Sequence, residues 1–209
     1  MRGLFRNLIF IGTMILCGQT IAQQESPKVL METDLGEIVI ELYPQSAPVT
    51  VDNFINYVKD NFYDGVIFHR VIKDFMIQAG GYRFDLTPKK PNRKAIVNES
   101  NNGLKNLRGT VAMARTSAPN SATSQFFINH KDNSFLDYQE KRAGYAVFGK
   151  VVKGMDTIDK IAAAKTESRR PFANLPEQII AIRTVRLISS ISQKQKTEPA
   201  KSNSLSPEK

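Results

Sequence analysis

The stretch FHRVIKDFMIQAGG, residues 68–81, places one arginine in an apolar run and follows it with a Phe-Met-x-Gln cluster. Side chains alternate between the two faces of a strand, so Arg70 shares its face with Phe68 and Ile72. The Lys-Asp pair that follows predicts a turn, and a glycine pair ends the second strand. Such a hairpin can bring together four side chains: Arg70, Phe75, Met76 and Gln78. The alternative is an arginine whose stem lies along the core while its charged head reaches water.

The first 22 residues have the three parts of a secretory signal peptide. Arg2 and Arg6 form its basic start, residues 8–17 its apolar core, and the sequence TIA before position 23 its cleavage site. We expect cleavage after Ala22. Because the apolar core has about ten residues and a membrane-spanning helix needs about twenty, no stable membrane anchor is expected.

Cys17 is the single cysteine of the chain. Its lipidation is an alternative to plain cleavage, although Leu16 before it is bulky where a lipidation site has a small residue. Cleavage after Ala22 would leave a mature chain with no thiol and no disulfide.

The chain is basic, with a formal net charge of +9, and removal of the two arginines of the signal peptide leaves +7. Its cations are spread through loops and the C-terminal end without aromatic interleaving or a recognised nucleic-acid motif, so no nucleic-acid partner is expected. We interpret the charge as solubility, with weak attraction to anionic surfaces or acidic clients. Apolar residues nearly vanish in residues 190–209, which predicts a disordered basic tail. Residues 23–189 are expected to form one folded domain.

Short apolar segments separated by turn residues dominate the region between the signal peptide and the tail. Two segments have helical spacing instead: residues 46–60, with Ser46 as a candidate cap, and residues 154–164. Residues 82–107 are polar and interrupted by prolines, which predicts a long irregular loop. Because strands and helices do not alternate as βαβ units, the pattern predicts an antiparallel sheet closed on itself with helices at its ends.

Common catalytic machinery is sparse in this sequence. The two histidines, His69 and His130, lack the spacing of a zinc motif, and no glycine-rich phosphate loop follows a strand. We therefore expect neither a catalytic metal nor a cofactor. A Ser-His-Asp triad remains an alternative on composition, although no serine lies in a GxSxG context.

Four blocks, in this order along the chain, resemble the cyclophilin family of peptidyl-prolyl cis-trans isomerases. They are FHRVIKDFMIQAGG, then GTVAMARTSAPNSATSQFFIN at 109–129, FLD at 135–137 and GYAVFGKVVKGMD at 144–156. The resemblance covers about residues 28–189 and implies a mainly β fold, a closed eight-stranded antiparallel β-barrel capped by two α-helices. Together with the signal peptide, the chain is similar to the periplasmic bacterial branch, which implies a periplasmic location.

The resemblance implies a role for each matching position. Arg70 would be the catalytic arginine, donating to the prolyl nitrogen of the twisted transition state, and Gln78 would hold the substrate carbonyl and orient Arg70. The matching substrate-binding positions are Phe75, Met76, Phe127 and Leu136 around the proline ring, and Ala114, Arg115, Thr116, Gln125, Phe135 and Tyr145 along the groove and its wall. From the residues alone, Phe127 and Leu136 are interpreted more simply as core, and Met76 as a gap-filler.

Three positions depart from the pattern of better-known eukaryotic members. Phe135 stands where many have tryptophan, Tyr145 where many have histidine, and Arg115 where many have asparagine, within a segment that is one residue longer. Phenylalanine lacks the indole N–H that binds cyclosporin in sensitive members, so we expect weak cyclosporin binding with isomerase activity retained.

The function that the resemblance implies is acceleration of X-Pro bond rotation during the folding of exported proteins, without a covalent step. Its partners would be unfolded or partly folded proline-containing polypeptides, bound by a monomer. The alternative is a periplasmic chaperone-like binding module that holds X-Pro segments with little isomerase role. Retention of Arg70 favours the enzyme, because a pure binder does not need a donor to the transition state.

Overall fold

The computed structural model describes residues 26–188, and the predicted signal peptide and C-terminal tail lie outside them. Within the described residues the chain forms eleven strands, two α-helices, α1 (Pro48–Lys59) and α2 (Met155–Ala162), and a short 3-10 helix (Ser134–Leu136). The strands are β1 (Lys28–Thr33), β2 (Gly36–Leu42), β3 (Val66–Ile67), β4 (Arg70–Ile72), β5 (Met76–Ala79), β6 (Thr110–Met113), β7 (Phe126–Asn129), β8 (Val147–Lys153), β9 (Thr166–Arg169), β10 (Phe172–Pro176) and β11 (Ala181–Ile188).

Nine strands form one sheet in the order β3-β11-β1-β2-β8-β6-β7-β5-β4. Each neighbouring pair is antiparallel. The strands β9 and β10 form a separate hairpin. The mainly β fold with two helices is therefore confirmed. The closed eight-stranded barrel is not, since within residues 26–188 the sheet has nine strands and is open between its edge strands β3 and β4.

The two edge strands are consecutive in the chain, and their partners explain the opening. β3 pairs with β11, whereas β4 pairs with β5. Between them, the N–H of Phe68 donates to the carbonyl of Ile180 at 3.0 Å, and the N–H of His69 donates to the carbonyl of Gln78 at 3.1 Å. The chain thus changes partners at Phe68 and His69. This change interrupts the continuous strand that the sequence predicted and leaves the ladder open at that point.

Helix α1 packs against β11, and its buried face follows the predicted spacing. Val51, Phe54 and Val58 are buried, and Pro48 occupies the first turn, where its missing N–H costs no hydrogen bond. Helix α2 packs against β2. In the described part of the chain, neither helix is long and apolar enough to cross a membrane.

The predicted cap of α1 is wrong. The N-cap residue is Ala47 rather than Ser46, and no side chain of that position caps the helix. The carboxylate of Glu99, from the 82–107 loop, accepts hydrogen bonds from the N–H groups of Val49 at 3.1 Å and Thr50 at 2.8 Å instead. A residue distant in sequence therefore satisfies the first turn.

The sheet is apolar on both faces, as strand β7 illustrates. Phe126 and Ile128 belong to the main core, whereas Phe127 between them belongs to a smaller cluster with Met76 and Leu136. Because successive side chains of a strand point to opposite faces, one strand serves both clusters. The smaller cluster forms the floor of the candidate site.

Candidate functional site

A row of cross-strand neighbours crosses four strands of the sheet. Arg70 lies opposite Gln78, Gln78 opposite Phe127, and Phe127 opposite Ala112. Directly opposite residues share a face and lie about 5 Å apart at Cβ. Strand pairing therefore sets Arg70, Gln78 and Phe127 side by side on one face of the sheet.

A tight turn between β4 and β5 positions Phe75. Asp74 adopts a left-handed φ of 57° in this turn, a conformation that aspartate tolerates better than most residues. Its N–H donates to Nδ1 of His130 at 3.0 Å. The carbonyl of Phe75 accepts from the N–H of His130 and from the side-chain amide of Asn133, each at 2.9 Å. The segment after β7 therefore holds the turn by three hydrogen bonds.

A cavity of about 120 Å³ opens on this face of the sheet. This volume lies below the roughly 300 Å³ at which drug-sized sites begin, so it suits a small ring rather than a large cofactor. Its lining consists of nine predicted site residues: Arg70, Phe75, Met76, Gln78, Ala114, Arg115, Phe127, Leu136 and Tyr145.

Three predicted site residues are not part of this lining. Thr116 is exposed, and its hydroxyl is bonded within its own loop. Gln125 accepts a hydrogen bond from the side chain of Gln78 at 2.9 Å. Phe135 is 55% exposed and stacks on Phe75 with ring centroids 5.6 Å apart. These residues belong to the rim or the support of the cavity rather than to its wall.

Arg70 is half-buried beside the apolar part of the cavity. Its Nη1 lies 3.9 Å from Sδ of Met76, and its Cζ lies 5.7 Å from the ring centroid of Phe75. Within residues 26–188 it forms no ion pair with a carboxylate. The guanidinium therefore retains donors that a ligand can use.

Gln78 is held by Gln125 and not by Arg70. Its Nε2 donates to Oε1 of Gln125 at 2.9 Å. The predicted orienting contact between Gln78 and Arg70 is not among the hydrogen bonds of the described residues, although the two are direct cross-strand neighbours. The amide of Gln78 is thus fixed from the side of β7.

Arg115 forms another wall of the cavity. Its Cζ lies 4.6 Å from the ring centroid of Tyr145, and Tyr145 in turn meets the ring of Phe127 edge-on at 5.6 Å. Its Nη2 donates to the carbonyl of Ala143 at 2.7 Å, and its Nε donates to that of Gly144 at 3.1 Å. Carbonyl groups and an aromatic face therefore hold this guanidinium in one place.

A buried polar network, which sequence reasoning missed, supports the apolar wall. Oδ1 of Asp137 accepts from the main-chain N–H of Asn106 at 2.7 Å and from its side-chain amide at 3.0 Å. Asn129 donates to Oδ1 of Asn106 at 3.2 Å, and Asn133 donates to Oδ1 of Asn129 at 2.8 Å. The sequence offered one signal for this network, an aspartate at position 137 directly after Phe135 and Leu136. That signal was not interpreted as burial because polar loop residues usually face water. Satisfied buried networks of this kind rigidify the groups they hold.

Neither histidine lines the cavity. His69 is buried beside Tyr82 and Phe172, and this burial lowers its pKa to about 4, with the positive charge of Arg70 acting in the same direction. Its imidazole is therefore neutral at pH 7.

In residues 26–188, no group of three or more His, Cys, Asp or Glu side chains is placed to hold a metal ion.

Comparison with known sequences assigns the family. Residues 28–186 match the family described as "Cyclophilin type peptidyl-prolyl cis-trans isomerase/CLD". A "Peptidyl-prolyl cis-trans isomerase" of Acinetobacter baylyi is 50% identical over 184 residues, which cover 88% of this chain and 96% of that protein. "Peptidyl-prolyl cis-trans isomerase A" of Dickeya dadantii is 52% identical over 167 residues, which cover 80% of this chain and 87% of that protein.

Comparison with solved structures assigns the fold. A crystal structure of a cyclophilin-type peptidyl-prolyl cis-trans isomerase from Cryptosporidium parvum has a TM-score of 0.66 and 25% identity, covering 79% of this chain and 99% of that one. A second structure from that organism, in the presence of the dipeptide Ala-Pro, has a TM-score of 0.65 and 26% identity, covering 78% of this chain and 99% of that one.

An arginine beside a small apolar cavity, on a mainly β cyclophilin fold, defines the class of protein. The chain belongs to the cyclophilin-type peptidyl-prolyl cis-trans isomerase family. It is accordingly an enzyme, a peptidyl-prolyl cis-trans isomerase, as its relatives at about half identity are named. The alternative of a binding module with little isomerase role is not favoured.

Proposed function

We propose that Arg70 accelerates X-Pro rotation by donating a hydrogen bond to the prolyl nitrogen in the twisted transition state. The uncatalysed barrier is about 20 kcal/mol because resonance holds the amide planar. At the twisted geometry that resonance is lost, the nitrogen pyramidalises, and its lone pair accepts a hydrogen bond better than in the ground state. A donor fixed at that position stabilises the transition state more than the bound substrate, which is the requirement for catalysis.

The observation that carries this proposal is the place of Arg70 on the cavity wall. Met76, Phe127 and Leu136 offer the proline ring an apolar surface, and Arg70 adjoins that surface with no carboxylate to occupy its donors within the described residues. When the proline ring packs on this apolar surface, the prolyl nitrogen and the carbonyl that precedes it can accept hydrogen bonds from polar neighbours. Gln78, next to Arg70 in the row, is the proposed partner of the carbonyl. The reaction needs no covalent bond and no cofactor.

Arg70→Ala tests this mechanism. Removal of one preorganised donor typically costs about 10²- to 10³-fold in rate, so kcat/KM for a short X-Pro peptide should fall by about that factor. The measurement is a protease-free assay, in which NMR exchange between the cis and trans forms of the peptide is followed with each variant. Unchanged isomerisation by Arg70→Ala would refute the mechanism.

A matched arginine provides the control. Arg169 is exposed on β9 and lies outside the cavity lining, so Arg169→Ala removes the same charge from the whole protein without touching the site. It should isomerise the peptide at the wild-type rate. If Arg70→Ala lost isomerisation yet still protected unfolded clients from aggregation, the chaperone-like binding role would gain support beside the enzymatic one.

We also propose that this protein binds cyclosporin weakly. Phe135 presents an exposed ring stacked on Phe75 but has no N–H to donate. Phe135→Trp would restore such a donor and should tighten inhibition by about three- to tenfold, the value of one net hydrogen bond. The test compares the cyclosporin inhibition constants of the wild type and Phe135→Trp. Nanomolar inhibition of the wild type would contradict the proposal.

We propose that the substrates are unfolded or partly folded proline-containing polypeptides in the periplasm. We also propose that the enzyme is a monomer. Support comes from the signal-peptide pattern of residues 1–22, which lie outside the described residues. N-terminal sequencing of the protein from a periplasmic fraction is the test. A chain that begins at Gln23 agrees with the proposal, whereas one that begins at a lipidated Cys17 contradicts it. Light scattering during size-exclusion chromatography measures the oligomeric state.

A further inference from the structure

The cavity wall carries two positive charges and no negative one. Of its nine lining residues, only Arg70 and Arg115 are charged; the others are apolar, aromatic or amide side chains. Neither guanidinium has a carboxylate within ion-pair distance in the part of the chain that the structure describes. A peptide in this cavity therefore meets a positive field that the protein itself does not neutralise.

Arg115 holds its charge at a fixed place. Its guanidinium donates to two segments of main chain, at the carbonyls of Ala143 and Gly144 (2.7 and 3.1 Å) and of Thr116 (2.9 Å), and stacks on Tyr145. Carbonyl oxygens satisfy its N–H groups but carry no net charge. The hydrogen bonds therefore fix the position of the cation without cancelling its field, unlike an ion pair with Asp or Glu.

Two acidic side chains are adjacent in sequence to residues that line the cavity. Asp137 is buried and accepts from Asn106, with Lys105 3.8 Å from its other oxygen. Asp74, in the turn before Phe75, is exposed and lies 3.6 Å from His130. On the rim, Arg142 adds a further cation that donates to the carbonyl of Phe135. Neither Asp74 nor Asp137 forms an ion pair with Arg70 or Arg115.

We propose that Arg115 is a specificity-determining residue that makes the enzyme prefer X-Pro segments carrying a carboxylate side chain, Asp or Glu, directly beside the proline. This inference rests on the proposed use of the cavity as the X-Pro site. It assigns the site a substrate class, acidic proline-containing segments. It also gives the arginine a role distinct from that of Arg70, which acts on every X-Pro bond.

The size of the preference follows from Coulomb's law. Two unit charges about 6 to 8 Å apart, at a partly exposed site with an effective dielectric constant between about 40 and 80, attract each other by an energy worth about two- to tenfold in kcat/KM. Because the site is open to solvent, added salt should screen the effect. A glutamate-to-glutamine comparison isolates it, since the two side chains have nearly the same size.

The experiment measures isomerisation of acetylated, amidated peptides Ala-Xaa-Pro-Phe and Ala-Pro-Xaa-Phe by NMR exchange at pH 7, with Xaa as Glu, Gln or Lys. For the wild type we expect kcat/KM in the order Glu, Gln, Lys in at least one series, with a Glu-to-Gln ratio of about two to ten that shrinks in 0.5 M salt. Arg115→Gln should lower the ratio toward one, and any remainder is the attraction of Arg70. Arg115→Lys keeps the charge without the forked hydrogen bonds and should retain most of the preference.

Arg169→Gln is the matched control, because it removes one positive charge from an exposed strand outside the cavity. It should leave the ratio at the wild-type value. A wild-type ratio of one in both series would overturn the inference, as would a ratio that is undiminished in Arg115→Gln or falls equally in Arg169→Gln. Failure of the proposed function gives a different result, since Arg70→Ala would then isomerise the glutamine peptide as fast as the wild type.

Discussion

His69 shows how one buried side chain links the site to the acid stability of the fold. It follows Phe68 at the point where the chain changes sheet partners, and its ring packs 4.8 Å from that of Tyr82. Its Nδ1 has no hydrogen-bond partner in the described residues. Burial lowers its pKa from 6.5 to about 4, helped by the charge of Arg70. The folded state therefore resists protonation of this group, whereas the unfolded state accepts it.

Acid should accordingly weaken the fold through His69. Between pH 6.5 and pH 4 the unfolded chain binds a proton at this residue and the folded chain does not, so the free energy of unfolding falls as pH falls. From pH 7 to pH 5 the loss is about 2 kcal/mol. Glutamine cannot titrate, so the free energy of unfolding of His69→Gln should fall by about 2 kcal/mol less than that of the wild type between pH 7 and pH 5. Urea unfolding at both pH values measures the two losses. Equal losses in the two proteins would contradict this account.

The residues of the cavity wall were predictable, and those that support it were not. The family motifs indicate which segments are strands, and the alternation of side chains along a strand then predicts that Gln78 and Phe127 face the site. The exposure of Phe135 and the bond from Gln78 to Gln125 depend on how separate segments meet, which no local pattern encodes. Asn106 was missed for the same reason, since its burial depends on a carboxylate that lies 31 positions away.

Helix α1 is stabilised from a distant loop. Glu99 accepts from the N–H of Val49 and from both the N–H and the hydroxyl of Thr50, the last at 2.7 Å. A carboxylate at this end also interacts favourably with the helix dipole. The sequence suggested Ser46 because capping signals are sought next to the helix, whereas the partner here is 49 positions away from Thr50. The long loop is thus tied to the helix that covers the core.

Glu99→Ala should therefore lower the free energy of unfolding by about 1 to 2 kcal/mol, the cost of a lost N-terminal cap together with its charge. The urea midpoint should fall with little change in slope, since the folded surface stays the same. Glu140→Ala, at an exposed turn, is the control and should stay within about 0.5 kcal/mol of the wild type. Equal midpoints for the two variants would show that the loop does not cap the helix.

For the whole molecule, the fold class followed from the sequence but the number and closure of the strands did not. Strand β9 has the sequence TESR and is exposed along its length, so no apolar alternation marks it. The hairpin that it forms with β10 is nevertheless anchored, because Phe172 and Leu175 of β10 form a small cluster with Ile67 of the edge strand β3. The β9–β10 hairpin thus packs where the nine-stranded sheet is open, a role that depends on tertiary contacts alone.

Phe172→Ala tests whether this hairpin protects the open part of the sheet. Phe172 is buried against Tyr82, with ring centroids 4.8 Å apart, and its loss should cost about 3 kcal/mol of unfolding free energy. It should also admit water to His69, so that the pKa of His69 rises toward its ordinary value and the acid-dependent loss of stability shrinks. NMR titration and urea unfolding measure the two effects. The control is Phe84→Ala, at a residue that is 70% exposed, which should change neither the unfolding free energy nor the pKa of His69. If the titration of His69 were unaltered in Phe172→Ala, the hairpin would not shield this histidine.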